Sequence, residues 1–301
     1  YGAARVRLLA AEVGDSLSQF VYVIAVPVLI FRTLATADLP TTPPWGLWAS
    51  YFAGVLVAWA LGHLAATRLH GLTSSEAVIA GVTSAFANTV MLGIPVTLTA
   101  YGEAGAVPLF LIISIHLPLM MVIGTLLIER AVRVDGGVTT PFSPLALLKA
   151  VGLNLIQNPI VIGILAGGAV RLLGLPLGGV VTTFLDMIAA AAIPCALIGM
   201  GMALNRYGLK GRIGLVSVVG VLKLVVMPLV VFLVGVYVFA LPPLWVAVAT
   251  VTAACPSGIN AYIMANRFRV GHALASGGIL ATTVVSVVTL WIVLLVLGMA
   301  V

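Results

Sequence analysis

Charge is what this chain lacks most. Only 7% of its 301 residues are Asp, Glu, Lys or Arg, while 62% are hydrophobic. Soluble domains carry about 25% charged residues, so a water-exposed globule is excluded and a polytopic membrane protein is indicated. Cysteine is nearly absent as well. Cys195 and Cys255 both fall in apolar stretches and read as small buried hydrophobes, with no disulfide or metal role. No signal peptide, long polar linker or polar domain is visible, and no metal, cofactor or nucleic-acid partner is expected. The apolar runs are continuous over roughly twenty residues, which selects transmembrane helices over a β-barrel of alternating segments.

Nine runs are long enough to be spans: about 18–36, 45–66, 74–100, 105–131, 157–173, 178–204, 213–238, 244–266 and 272–298. An interfacial helix carrying Lys149 is expected at 145–156, after a polar loop from Arg133 to Pro144. An internal repeat is also legible. Ala25-Val-Pro27 and Ala192-Ile-Pro194 sit in similar segments, 167 residues apart, and the same offset carries 88–95 onto 255–262. The span at 157–173 then has its counterpart before residue 1, so a further, preceding helix is expected. Eleven cations (Arg5, Arg7, Arg68, Arg130, Arg133, Lys149, Arg206, Lys210, Arg212, Arg267 and Arg269) fall on one side, which the positive-inside rule makes cytoplasmic. Residue 1 is then inside a cell (inner) membrane and the C-terminus outside. Five spans per half give repeats of opposite orientation. The expected divisions are 1–44 and 145–211 as scaffold, and 45–144 and 212–301 as core.

Two of the runs contain residues that interrupt a helix halfway. In the first these are Asn88, Gly93 and Pro95; in the second, Pro256, Ser257, Gly258 and Asn260. Broken backbone at membrane depth persists only where protein covers it or it lines a cavity. Matching breaks in two halves point to a transporter binding site. Two crossed breaks bring together two helix N-termini, with free N–H groups, and two C-termini, with free carbonyls. A carboxylate suits the N-terminal ends near Gly93 and Gly258, with Asn88 and Asn260 as amides that donate or accept. The alternative is that both amides only stitch backbone. Pro95 and Pro256 are expected to shape the site.

Charges inside spans are functional candidates. Lys223 lies about eleven residues into its helix, near the midplane at 1.5 Å per residue. It is expected to offset the carbonyl ends of the crossing, in place of a coupling sodium ion, or to attract an anion. Asp186 could pair with Lys223 or relay protons, the alternative being a polar residue beside a vestibule. His116, near mid-depth, is a titratable candidate, weighed against a satisfied core histidine. Arg32 reads as an outer-end snorkel. Gly163 and Gly167 form a small-residue face, for packing within the chain or in a dimer. Asn158 before Pro159 is an expected N-cap.

At these places the sequence resembles the auxin efflux carrier family, membrane transport proteins that include bacterial malonate- and malate-type carriers. The resemblance is carried by Phe86-Ala-Asn88-Thr-Val-Met-Leu-Gly93-Ile-Pro95, Tyr101-Gly102 and Gln157-Asn158-Pro159. It continues in Ile193-Pro194 through Gly199 and Gly201, Lys223 to Pro228, and Pro256-Ser-Gly258-Ile-Asn260-Ala-Tyr262. It implies a ten-helix inverted-repeat fold like that of sodium/proton antiporters and bile-acid symporters, with a crossover core, a homodimer through scaffold helices, and elevator-type motion. The expected function is carriage of small organic anions such as mono- or dicarboxylates. A sodium-coupled symporter, a transporter-fold sensor and an intramembrane hydrolase built on Ser257-Gly258 are the competing readings. The first lacks acidic ligands at the crossing, the second lacks a regulatory domain, and the third lacks a paired base.

Overall fold

The computed structural model describes residues 9–37, 43–136, 152–153, 156–204 and 213–298, and their regular secondary structure is helical apart from one isolated β-bridge. Six stretches are long and apolar enough to cross a bilayer. They are α1 (Glu12–Thr36), α2 (Trp45–Leu69), the stretch Thr89–Val134, α7 (Gly179–Ala203), α8 (Ile213–Val238) and α11 (His272–Val296). The long stretch Thr89–Val134 contains α4 (Ile94–Tyr101) and α5 (Ala106–Val134). The remaining helices are shorter: α3 (Ser74–Ala85), α6 (Pro159–Leu172), α9 (Pro243–Ala254) and α10 (Asn260–Phe268). The runs at 74–100 and 244–266, each expected as a span interrupted halfway, contain two helices apiece. Val180, Phe184 and Met187 on α7 and Val287 and Trp291 on α11 are exposed, an apolar surface suited to lipid. The chain is an integral membrane protein. The expected interfacial helix at 145–156, with Lys149, lies largely outside the described residues, as do Arg5, Arg7, Arg206, Lys210 and Arg212.

Three helices contain a π-helical turn two residues before a proline: Val21–Ala25 before Pro27, Thr89–Gly93 before Pro95, and Leu222–Val226 before Pro228. Proline lacks the N–H and its ring clashes with the carbonyl four residues earlier; a widened turn relieves that crowding while the helix continues.

The contacts divide the chain into two compact units. The first comprises 1–43, 90–114 and 144–206, and so holds α1, α4, the start of α5, α6 and α7. Its helices approach closely through glycine. A Cβ at Gly163 would lie 2.6 Å from the Pro27 carbonyl oxygen, and one at Gly167 would lie 2.7 Å from that of Phe31, so α6 rests on the backbone of α1. The small-residue face is therefore used within the chain. Asn158 caps α6: its Oδ1 accepts from the Ile160 N–H at 2.9 Å while its Nδ2 donates to the Tyr22 hydroxyl at 3.2 Å.

The second unit comprises 44–89, 115–143 and 207–301 and holds α2, α3, most of α5, and α8 to α11. Gly54 of α2 meets the backbone of α8, where a Cβ would lie 2.8 Å from the Met227 oxygen. Ala65, Ala66, Ala77, Ala80, Leu215, Val216, Val219 and Leu274 form one of its buried clusters, with small residues letting the helices close up. The start of α3 is fastened twice. Thr73 and Glu76 make a reciprocal capping box, and the Asp135 carboxylate accepts from the N–H groups of Ser74 (3.0 Å) and Ser75 (2.8 Å). Partial burial pushes the Asp135 carboxyl up, but the hydrogen bonds from Ser75 and Ser74 together outweigh it and hold the group below its ordinary value.

Candidate functional site

Within the second unit, α3 stops at Ala85 and α9 stops at Ala254, and the two chains that leave them lie side by side. Pro256 has no N–H and disfavours helical backbone at the residue before it; Cys255 accordingly turns extended (φ −59°, ψ 147°). Phe86 does the same at the end of α3 (φ −80°, ψ 98°). Ala87 and Ser257 then form an antiparallel bridge. Around it the Asn88 N–H donates to the Pro256 carbonyl at 2.8 Å, and the Gly258 N–H to the Phe86 carbonyl at 2.7 Å. Gly258 needs to be small here, because a Cβ would come within 3.2 Å of the Ala87 oxygen. Phe86, Ala87, Cys255 and Ser257 are all essentially inaccessible, so these backbone groups have only one another.

Each interrupted helix leaves carbonyls at its C-terminal end, and buried side chains meet them. The Ser257 hydroxyl donates to the Thr83 carbonyl at 2.6 Å, closing the end of α3. The Ser257 N–H in turn donates to Thr282 Oγ1 at 3.1 Å, whose own proton goes to Gly278 O. Lys223, 0% exposed, donates from Nζ to the Ala253 carbonyl at 2.5 Å, and Met227 Sδ is its second neighbour at 3.4 Å. When protonated, its ammonium faces the negative end of α9. Ser257 is a cap whose proton is committed to main chain, which is the opposite of an activated nucleophile.

The N-terminal side is left to amides. Asn260 is the first residue of α10 and is half-buried; Asn88, also half-buried, follows the bridge on the other strand. The structure therefore brings Asn88, Pro256, Gly258, Asn260 and Lys223 into one unit, together with His116. His116 is fully buried and ringed by Tyr51 (5.2 Å), Phe86 (5.0 Å) and Phe52 (6.3 Å). Gly93 and Pro95 belong to the first unit, where they open α4. Gly93 has ordinary helical backbone (φ −60°, ψ −45°), so its conformation does not demand glycine. Asp186, also in the first unit, accepts from Arg32 Nε at 2.6 Å, and Arg32 Nη1 reaches Glu103 at 2.6 Å. The partner of Asp186 is thus Arg32 in place of the expected Lys223, and Arg32 joins two carboxylates where a simple snorkel was expected.

Several participants had weak signals in the sequence. Thr282, Tyr51 and Glu103 sit in ordinary apolar or turn contexts, and only the excess of hydroxyls in apolar helices hinted at the first two. Among the described residues no three His, Cys, Asp or Glu side chains cluster as metal ligands would. A cleft of about 380 Å³ lies at Leu72, Glu76, Leu215 and His272, and none of Asn88, Ser257, Asn260 and Lys223 lines it.

Comparison with known proteins bears on this arrangement. The profile of the family described as "Membrane transport protein" matches residues 1–294. A protein of Rhizobium meliloti named "Putative malonate transporter" is 26% identical over 273 residues, covering 91% of this chain and 83% of its own. An "Uncharacterized transporter" of Methanothermobacter thermautotrophicus is 28% identical over 299 residues, 94% of this chain and 89% of that protein.

Proposed function

Because the chain belongs to the membrane transport protein family, we propose that it is a secondary transporter of small organic anions that binds a carboxylate where its two interrupted helices cross. The observation that carries this reading is the asymmetry of the crossing. Its carbonyl ends are closed by Ser257 and Lys223, while Asn88 and Asn260 stand half-buried beside the helix starts. The N-terminal end of α10, the two amides and the Lys223 charge favour a negative solute. Pro95 and Pro256 shape the ends. Lys223 does the work that a coupling sodium ion would do at the carbonyl end of α9, which is why the sodium-symporter reading is the weaker one.

The helix starts support an internal repeat. Those at 12, 45, 74, 94 and 106 recur at 179, 213, 243, 260 and 272, offsets of 167, 168, 169, 166 and 166. We infer that the repeats are inverted, with two crossing broken helices and nine spans. The cycle is of the elevator type, carried by a homodimer through scaffold helices, with residue 1 cytoplasmic in the cell (inner) membrane. His116 and Asp186 are the further candidates for proton coupling. The Rhizobium relative makes a three-carbon dicarboxylate the first solute to try.

The test is binding and liposome uptake of a carboxylate panel, with Asn88→Ala and Asn260→Ala as variants. Both should abolish binding and leave thermal unfolding near wild type. Normal binding by either variant would remove the crossing as the site.

A further inference from the structure

Behind the crossing lies a polar group that the carboxylate site does not use. His116 and Tyr51 are 0% exposed, with rings edge to face at 5.2 Å. Neither imidazole nitrogen nor the Tyr51 hydroxyl has a hydrogen-bond partner among the described residues. The imidazole lies beside the Ala87 backbone, without the geometry of a hydrogen bond, and within electrostatic range of Lys223. Tyr51 is likewise near Cys255. The titratable groups within electrostatic reach of this place are Tyr51 on α2, His116 on α5, Lys223 on α8 and Cys255 at the end of α9.

Buried polar groups are satisfied by protein or by ordered water. Three such atoms on two adjoining rings call for a small ligand. Phenyl rings from Phe86 and Phe52 close over the imidazole and suit no carboxylate. The ligand must donate and accept, because a neutral imidazole offers one N–H and one lone pair and a phenol offers both. Water does this and a metal ion does not. Lys223 adds a second argument. Its hydrogen bonds go to a carbonyl and a thioether, which accept but cannot carry a proton away.

We propose that Tyr51 and His116 hold bound water against Ala87 and Lys223, and that this water is the route by which Lys223 exchanges its proton. The proposal deepens the carboxylate-site reading, on which the transport role of Lys223 rests. In the exchange an Nζ–H bond of Lys223 breaks and the water takes that proton. It passes one of its own to the unprotonated nitrogen of His116. One positive charge moves from the Ala253 carbonyl toward Ala87, and the total is unchanged. Tyr51 holds the water and is a positioning residue.

The test uses the full chain in lipid nanodiscs and proteoliposomes. A high-resolution cryo-EM map of the wild type should show a peak within hydrogen-bonding distance of Tyr51 Oη and a ring nitrogen of His116. Tyr51→Phe keeps the ring and removes the hydroxyl. It should lose the peak, lower Tm by about 2–4 °C and slow uptake roughly fivefold to tenfold at unchanged carboxylate Kd, the worth of one hydrogen bond. A dry map, or a Tm that holds or rises in Tyr51→Phe, overturns the water site. A peak and a lowered Tm with unaltered uptake overturn the proton route. A wild type that binds no carboxylate refutes the transport reading instead, and the map and Tm still decide the water.

Discussion

Replacing Lys223 by methionine keeps an unbranched side chain one atom shorter and deletes its charge. Two consequences oppose each other in the fold. The ammonium faces the Ala253 carbonyl at 2.5 Å, at a helix end carrying about half a negative charge. At an effective dielectric of about 20 that attraction is about 3 kcal/mol. Against it stands the cost of holding a fully buried ammonium out of water, several kcal/mol. The terms are of similar size, so Tm of Lys223→Met should stay within a few degrees of wild type. Anion affinity has no such cancellation. Three non-helical residues, Cys255 to Ser257, separate the end of α9 from Gly258, which allows roughly 10 Å between the ammonium and a carboxylate at the crossing. Unit charges at that distance attract by about 1.7 kcal/mol, or about twentyfold in Kd. Calorimetric titration of a dicarboxylate into purified wild type and variant reads this directly. An uncharged amide analogue of the same size serves as control and should bind equally to both. Equal dicarboxylate affinity, or an equal loss for the amide, would refute the electrostatic reasoning and leave Lys223 a purely structural cap.

Other outcomes follow from the same geometry. Ser257→Ala strips the end of α3 of its cap and leaves a buried carbonyl unmet, which should cost about 1–3 kcal/mol and show as a Tm several degrees lower. An unshifted Tm would mean that the 2.6 Å contact with Thr83 contributes nothing. Asp135→Asn tests the fastening of α3. The Asp135 carboxyl is held below its ordinary value, so its stabilisation is complete above the unfolded pKa of about 4 and is lost as pH falls through the folded value. The variant should be less stable at pH 7 by about 0.5 kcal/mol, after solvent screening of so exposed a group, and match wild type in strong acid. A gap in Tm that is the same at low and neutral pH would count against the contact.

What could be read in advance was mostly local. Continuous apolar runs without charge specify lipid-facing helices, and Pro256 stops α9 because of its own covalent geometry. Asn158 before Pro159 is likewise a cap that three consecutive residues define. The proposed internal repeat rests on the offset of 167 between the similar segments at Pro27 and Pro194. Partnerships were a different matter. Arg32 meets Glu103 across 71 positions and Asp186 across 154, and Lys223 finds Ala253 across 30. Such pairs depend on how helices pack, so Asp186 read as a partner for Lys223 when Arg32 holds it. The π-helical turns were also hidden. Each prolyl ring was legible, but whether the helix kinks, breaks or widens depends on its neighbours. Gly93 remains without a physical account, since its backbone is that of any helical residue.

The seam at the crossing has a bearing on biogenesis. Ser257 and Thr83, which it joins, are 174 residues apart. A ribosome must therefore deliver well over half the polypeptide between one side of the seam and the other. Until then Phe86 and Thr83 present carbonyls to lipid with nothing to meet them. Nascent chains stopped short of Ser257 would be ready targets for membrane proteases, and truncations there should vanish from the cell even though most helices are already in place.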